Sequence, residues 1–243
     1  MRTPSRTRRT SRDLRRAGVT LGALALTGVA LAGCSSATAQ PVAAGSAAGA
    51  HVVSGAESSR PQAVAIGDSI AFGKGVQPGE AWPALLAADH HWQLTDLAVS
   101  GAGFVRPGWN GTTYRQQVDL ALKEHPGVIL IAATRNDRNE DPARVTANAD
   151  RLLRELRQAF PHATIVGITG IWGADQPPPT MSRVNEIVGD AVRAVGGTFL
   201  DIGHPLGGHP ELVQPDGIHP DAAGERAVAK AIETELSPLR LAL

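Results

Sequence analysis

One stretch limits the fold more than any other: the apolar run Gly127-Val-Ile-Leu-Ile-Ala-Ala133. Its length and its aliphatic, partly β-branched residues predict a strand. A half-exposed strand would alternate apolar and polar residues, but this run contains no polar side chain, so both of its faces must be covered. Such strands are typical of parallel sheets that carry helices on both sides. We therefore expect this strand at the centre of a sheet of that kind.

From Pro61 onward, strand-type runs alternate with helix-type segments. This alternation predicts a parallel, doubly wound sheet with helices on both faces. We expect one α/β domain over residues 61–243, a flavodoxin-like three-layer sandwich with a central, mostly parallel five-stranded sheet. About 180 residues suffice for one domain with a good core. The predicted strands are Gln62–Ile66, Gln93–Val99, Gly127–Ala133, Ala163–Thr169 and Thr198–Ile202, and the predicted helices are Ala81–Ala88, Tyr114–Lys123, Pro142–Phe160, Met181–Val195 and Asp221–Leu236.

The N-terminal 60 residues have a different character. Residues 1–33 combine an arginine-rich start with an uncharged apolar run, which predicts a signal peptide. The run ends Leu31-Ala32-Gly33-Cys34, which resembles a bacterial lipoprotein box, although Cys34 could also be a plain small residue of the signal. We expect a lipidated Cys34, a flexible tether over residues 34–60, and an extracytoplasmic protein anchored to the bacterial cell membrane. Both the general and the twin-arginine export routes stay open.

The charge and the cysteine count exclude several classes of function. Without the seven arginines and one aspartate of residues 1–16, the chain has 16 basic and 22 acidic residues, a net charge near −6. This balance argues against nucleic acid as a partner. Cys34 is the only cysteine, so its lipidation leaves no thiol for a disulfide, a thiolate metal site or a cysteine nucleophile. A monomer is expected.

Several polar residues follow the predicted strands and should meet at one edge of a parallel sheet. Ser69 follows the first strand, Gly101 the second and Asn136 the third, and Asp216 and His219 precede the last helix. A serine needs a base to become a nucleophile, and His219 oriented by Asp216 could supply it. The N–H groups of Ser69 and Gly101 and the Asn136 amide could stabilise an oxyanion. Each residue could instead be a cap or a turn residue.

Four short blocks of the chain stand out together. They read Gly67-Asp68-Ser69-Ile70, Val99-Ser100-Gly101-Ala102, Arg135-Asn136-Asp137 and Asp216-Gly217-Ile218-His219-Pro220. In this order they resemble the SGNH hydrolases, also called GDSL esterases or lipases, over about Pro61–Leu236. The resemblance implies a Ser69 nucleophile, an Asp216–His219 pair, and an oxyanion hole formed by Ser69, Gly101 and Asn136. No metal or organic cofactor is implied.

One position departs from the family pattern: Thr134 stands where the family has glycine before x-Asn-Asp. If that glycine only provides room, Thr134 narrows the pocket beside the oxyanion hole. If the position requires a positive φ, a β-branched threonine is strained there.

The substrate is less defined by the sequence. Phe104 and Trp109 lie in an insert after Gly101, and Trp172 lies in a Gly/Pro-rich loop, so they could form a substrate wall or simply pack. Arg135 and Arg138 could meet an anionic group or lie in solvent. We expect a serine esterase for short acyl groups, with O-acetyl groups on carbohydrate as the preferred substrate class. The alternatives are an O-acyltransferase that uses the same site and a catalytically silent binding lipoprotein.

Overall fold

The computed structural model describes residues 60–239, and its centre is one five-stranded sheet. Every strand pairing is parallel and the strand order is β2-β1-β3-β4-β5, the flavodoxin-like order. The predicted fold is thereby confirmed. The strands are β1 Gln62–Ile66, β2 Gln93–Asp96, β3 Val128–Ala132, β4 Thr164–Ile168 and β5 Thr198–Leu200, and the helices are α1 Trp82–Asp89, α2 Tyr114–Ala121, α3 Pro142–Ala159, α4 Pro179–Ala194 and α5 Ala222–Leu236.

Strand β3 lies in the middle of the sheet and is buried at all five positions, as its composition predicts. Its alternate residues enter two separate cores. Ile129 and Ile131 pack with α2, α3 and α4 on one face. Val128 and Leu130 pack with α1 and α5 on the other face. The two-sided burial therefore follows directly from the lack of polar side chains in this strand.

The predicted segments differ from the observed ones mainly at their ends. The second strand was expected to reach Val99, but β2 ends at Asp96, whose side chain accepts a hydrogen bond from the Ala98 N–H (2.9 Å). This short turn redirects the chain, although the Val99 N–H still bonds to the Gly67 carbonyl (3.1 Å). Helix α4 begins at Pro179 rather than Met181, since proline is well suited to the first helical turn.

The predicted signal peptide (1–33), Cys34 and nearly all of the predicted tether (34–60) lie outside the described residues. Within residues 60–239, no helix has both the length and the apolar character that crossing a membrane requires.

A buried carboxylate joins the two helices on one face of the sheet. Glu225 of α5 is fully buried, and its Oε2 accepts a hydrogen bond from the Trp82 N–H at the start of α1 (3.0 Å). Its Oε1 has no partner among the described residues. Burial raises the pKa of Glu225 to about 8, against the opposing effect of the Trp82 hydrogen bond.

This carboxylate should make stability fall as the pH rises. Between the usual glutamate range and about pH 8, the native state keeps a proton that the unfolded chain releases, so the unfolding free energy decreases by up to about 1.4 kcal/mol per pH unit. We expect Glu225→Gln to remove most of this decline when urea unfolding is measured at pH 5, 7 and 9. Glu235→Gln, an exposed position on the same helix, is the matched control. Parallel profiles for Glu225→Gln and wild type would contradict the assignment.

Candidate active site

Ser69 lies in a tight turn directly beyond the carboxyl end of β1 and is largely buried. The Asp68 carboxylate accepts a hydrogen bond from the Ile70 N–H (2.9 Å), and the Asp68 carbonyl accepts one from Phe72 (3.0 Å). Gly67 is required before this turn, because a Cβ there would lie 2.4 Å from the Ala71 Cβ. These contacts fix the backbone around Ser69.

Asp216 and His219 share a loop that their own contacts hold in shape. One Asp216 carboxylate oxygen accepts from the N–H groups of Ile218 (2.9 Å) and His219 (3.0 Å). The His219 carbonyl accepts from Gln214 (2.7 Å), and Gly217 takes a φ of 70° that favours glycine. The Asp221 side chain then caps α5 through the Gly224 N–H (2.8 Å).

The fold brings these two segments, 150 residues apart, into direct contact. His219 Nε2 lies 2.9 Å from Ser69 Oγ, and His219 Nδ1 lies 2.6 Å from the second Asp216 oxygen. With the proton on Nδ1, His219 donates to Asp216 and can accept the Ser69 proton at Nε2. The arrangement is therefore able to activate a serine hydroxyl.

Asp216 keeps its charge in this arrangement. Its partial burial by itself would raise its pKa, but the hydrogen bonds from the His219 N–H, the His219 ring and the Ile218 N–H hold the pKa well below its usual range. The carboxylate is thus ionised at neutral pH and can stabilise an imidazolium. Among the described residues, no group of three or more His, Cys, Asp or Glu side chains could hold a metal ion.

Three hydrogen-bond donors remain available in the loops beyond the carboxyl ends of β1, β2 and β3. None of the described residues accepts a hydrogen bond from the N–H of Ser69 or of Gly101, whose φ of 82° lies in the left-handed region. The Asn136 amide nitrogen donates one hydrogen to the Ala102 carbonyl (2.9 Å) and has a second hydrogen to offer. Such donors are what an oxyanion requires.

Thr134 is fully buried and its backbone is extended, with φ −130° and ψ 139°. The strain considered from the sequence is therefore absent. The Thr134 hydroxyl donates to Asp68 Oδ2 (2.7 Å) and accepts from the Asn136 N–H (3.1 Å). A single side chain thus links the turn that carries Ser69 to the turn that carries Asn136. Burial raises the pKa of Asp68, and the Thr134 hydrogen bond opposes that rise.

Two buried side chains, those of Gln117 and Asp137, support the site but were given no role from the sequence. Gln117 of α2 binds both backbone groups of Gly67, its Oε1 accepting from the N–H and its Nε2 donating to the carbonyl (2.9 Å each). Asp137 accepts from the N–H groups of Phe104 (2.6 Å) and Arg106 (2.9 Å) and so holds the insert that follows Gly101. The sequence does contain a signal for Gln117: it is a polar residue on the helix face that otherwise carries the buried residues Tyr114 and Val118.

The four candidate substrate-binding residues, Phe104, Trp109, Arg135 and Trp172, have different surroundings. Phe104 is 1% exposed and packs on Tyr114 with ring centroids 4.7 Å apart, so of its two expected roles it has the packing one and is not part of a substrate wall. Trp109 is 79% exposed and extends from the insert. Only Arg135 and Trp172 are brought together, with the guanidinium 4.1 Å from the ring centroid.

Comparison with known proteins agrees with this geometry. The model of the GDSL-like lipase/acylhydrolase family matches residues 65–227, which include the turn of Ser69 and the loop of His219. The chain belongs to this family. The GDSL lipase Rv0518 of Mycobacterium tuberculosis (strain ATCC 25618 / H37Rv) is 30% identical over 191 residues, covering 71% of this chain and 80% of that protein.

Several solved structures share the fold of this chain at low sequence identity. The salicylyl-acyltransferase SsfX3 from a tetracycline biosynthetic pathway has a TM-score of 0.61 and 22% identity, covering 76% of this chain and 56% of its own. A family two carbohydrate esterase from Cellvibrio japonicus has a TM-score of 0.59 and 19% identity, covering 73% of this chain and 61% of its own. The family resemblance seen in the four sequence blocks is confirmed, and the family supports a hydrolase of esters.

Gln117 should contribute strongly to stability through Gly67. Gln117→Met keeps the approximate size but leaves the buried N–H and carbonyl of Gly67 without this partner, which should lower the unfolding free energy by about 1–3 kcal/mol. Urea denaturation measures the change. Gln158→Met, at an exposed position of α3, is the control and should unfold like wild type. If both variants unfold at the same urea concentration, the amide contact is not stabilising.

Thr134 should matter for its hydroxyl rather than for its shape. Thr134→Val keeps the β-branch but removes the donor to Asp68 and the acceptor for the Asn136 N–H. It should lower the free energy of unfolding by about 1–3 kcal/mol. Thr134→Ser keeps the hydroxyl and should lower the free energy of unfolding by less than Thr134→Val does. Thermal unfolding of the two variants under identical conditions makes the comparison. Equal losses in both would show that methyl packing dominates at this position.

Proposed function

We propose that this chain is a serine esterase in which Ser69 is the nucleophile, His219 the general base and Asp216 the residue that orients His219. The observation that carries the proposal is the pair of contacts from His219, 2.9 Å to Ser69 Oγ and 2.6 Å to Asp216. A serine hydroxyl gains reactivity only when such a base lies within hydrogen-bond distance.

In the first half-reaction, Ser69 Oγ attacks the ester carbonyl carbon and its proton passes to His219 Nε2. The carbonyl oxygen becomes an oxyanion, which the N–H groups of Ser69 and Gly101 and the Asn136 amide stabilise. The intermediate then collapses, the bond to the alcohol oxygen breaks, and His219 returns the proton to that oxygen. The products are a free alcohol and an acyl group on Ser69.

In the second half-reaction, a water molecule attacks the acyl carbon while His219 takes one of its protons. The bond to Ser69 Oγ breaks and His219 reprotonates that oxygen, so the acid leaves and the enzyme is restored. Asp216, ionised throughout, holds the Nδ1 proton in place and stabilises the imidazolium in both halves.

We propose short acyl esters as substrates, with O-acetyl groups on carbohydrate as the preferred class. The similar fold of the carbohydrate esterase supports this choice at the level of fold. The acyltransferase neighbour supports the second candidate, in which a sugar hydroxyl replaces water in the second half-reaction. The hydrogen-bonded Ser69–His219–Asp216 set argues against a silent binding lipoprotein. We also retain the proposal of a monomer anchored outside the cytoplasm through a lipid on Cys34.

Hydrolysis of p-nitrophenyl esters from acetate to a long acyl chain tests the proposal. We expect full-length protein purified in detergent to hydrolyse acetate best, and Ser69→Ala to lose at least about 10³-fold in rate. A fluorophosphonate probe should label wild type but not Ser69→Ala. Ser182→Ala, an exposed serine on α4, is the matched control.

Persistent labelling of Ser69→Ala would contradict the nucleophile assignment, and a preference for long chains would contradict the short-acyl assignment. Addition of an acceptor sugar, with analysis of the products, separates the two reactions. An acylated sugar formed faster than free acid would favour the transferase.

A further inference from the structure

Two arginines surround one tryptophan beside the proposed active site. The Arg135 guanidinium lies 4.1 Å from the ring centroid of Trp172, and the Arg138 guanidinium lies 5.9 Å from it. Arg138 is also tied to Arg135, because its Nη1 donates to the Arg135 carbonyl (3.0 Å). A guanidinium stacked on an aromatic face keeps its N–H groups free at its edge, where they can bind an anion in a fork-like arrangement.

This pair of cations forms no ion pair within residues 60–239, although Asp68 and Asp216 are near enough to act electrostatically on Arg135. Neither guanidinium lies within ion-pair distance of a carboxylate there, whereas three of the six arginines on α3 and α4 do: Arg154, Arg183 and Arg193. Arg135 is only partly exposed, and its Nη1 is buried without an acceptor among the described residues. The exposed part of the guanidinium is therefore the part that an anion in solution can reach.

The position of Arg135 ties it to the proposed chemistry. It stands between Thr134 and Asn136 in the turn beyond β3, next to one of the proposed oxyanion donors. Trp172 lies in the loop that packs against the Asp216–His219 loop, since a Cβ on the adjacent Gly173 would lie 2.5 Å from the Gly217 carbonyl oxygen. The stacked pair therefore connects the oxyanion side of the site to the side of the general base.

We propose that Arg135, held by Trp172, is a subsite for an anionic group of the substrate, a carboxylate or a phosphate on the ester. This inference rests on the proposed esterase function and narrows its substrate class to charged esters. Arg138 adds a second positive charge that attracts the same group. The anion would accept hydrogen bonds from the exposed part of the Arg135 guanidinium and so hold the ester carbonyl beside Ser69.

Two pairs of size-matched esters test the subsite and locate the anion. The acyl pair is p-nitrophenyl hemisuccinate against p-nitrophenyl butyrate, and the alcohol pair is 4-acetoxybenzoate against 4-acetoxybenzamide. Calorimetry with the full-length Ser69→Ala protein measures the affinity for each ester without turnover. The wild-type protein gives kcat/KM for the same esters. We expect the charged member of one pair to be preferred about 10- to 100-fold in both measurements, as hydrogen bonds to a charged group imply.

Arg135→Gln should bring the charged-to-neutral ratio of that pair close to one. Arg193→Gln is the control, because Arg193 also lies over an aromatic ring, that of Phe199 at 5.5 Å, but on α4 and paired with Asp190. It should leave the ratio as in wild type.

The two proposals fail in different ways. Equal affinity of the Ser69→Ala protein for both members of both pairs, or a preference that survives Arg135→Gln, overturns the anionic subsite. The subsite is supported if the Ser69→Ala protein binds a charged ester preferentially and the Ser69→Ala/Arg135→Gln double variant does not. This holds even if the wild-type protein hydrolyses none of the esters. That last result would overturn only the esterase assignment.

Discussion

The parallel pairing of β1 with β3 at the centre of the sheet is the constraint on which the rest of this protein depends. Ile66 pairs with Ile131, and the chain continues three residues further on each strand to Ser69 and to Thr134. Because helices cover both faces of the sheet, the polar residues of the site lie in the loops beyond the carboxyl ends of the strands. The register of two apolar strands thus sets where the reactive residues stand.

Hydrogen bonds from buried polar side chains then fix the loops at that edge. Asp68, Thr134 and Asn136 form one connected set beneath the site, and Gln117 holds the backbone of Gly67 just before Ser69. Asp137 holds the neighbouring insert. A buried polar side chain without a hydrogen-bond partner costs free energy, and the hydrogen bonds of these side chains offset that cost. The same hydrogen bonds restrict the conformations that the turns can adopt. A site built on such a network is preorganised before any substrate arrives.

Charge at the site is distributed unevenly, and this unevenness bears on specificity. Asp216, exposed at one side, is kept ionised by its contacts with His219 and Ile218. Arg135 and Arg138 at Trp172 have no carboxylate of their own within the described chain. An uncharged ester would make use of the ionised Asp216 but not of the two arginines at Trp172. The inferred preference for an anionic ester gives both features a role in one reaction.

The sequence by itself determined the α/β fold, the order of its elements and the family, since two-sided apolar runs and four short blocks are local features that a reader of the chain can see. It also named Ser69, His219 and Asp216 before they could be placed together. Only the tertiary structure decided that Phe104 packs in the core, that Thr134 is an unstrained hydrogen-bond link, that Gln117 and Asp137 support the site, and that Arg135 stacks on Trp172. Each of Asp137, Gln117 and Thr134 has a hydrogen bond to a residue 33 to 66 positions away, and Arg135 and Trp172 lie in separate loops, so no local periodicity encodes these contacts. Which partner a buried polar or aromatic group finds depends on packing in three dimensions.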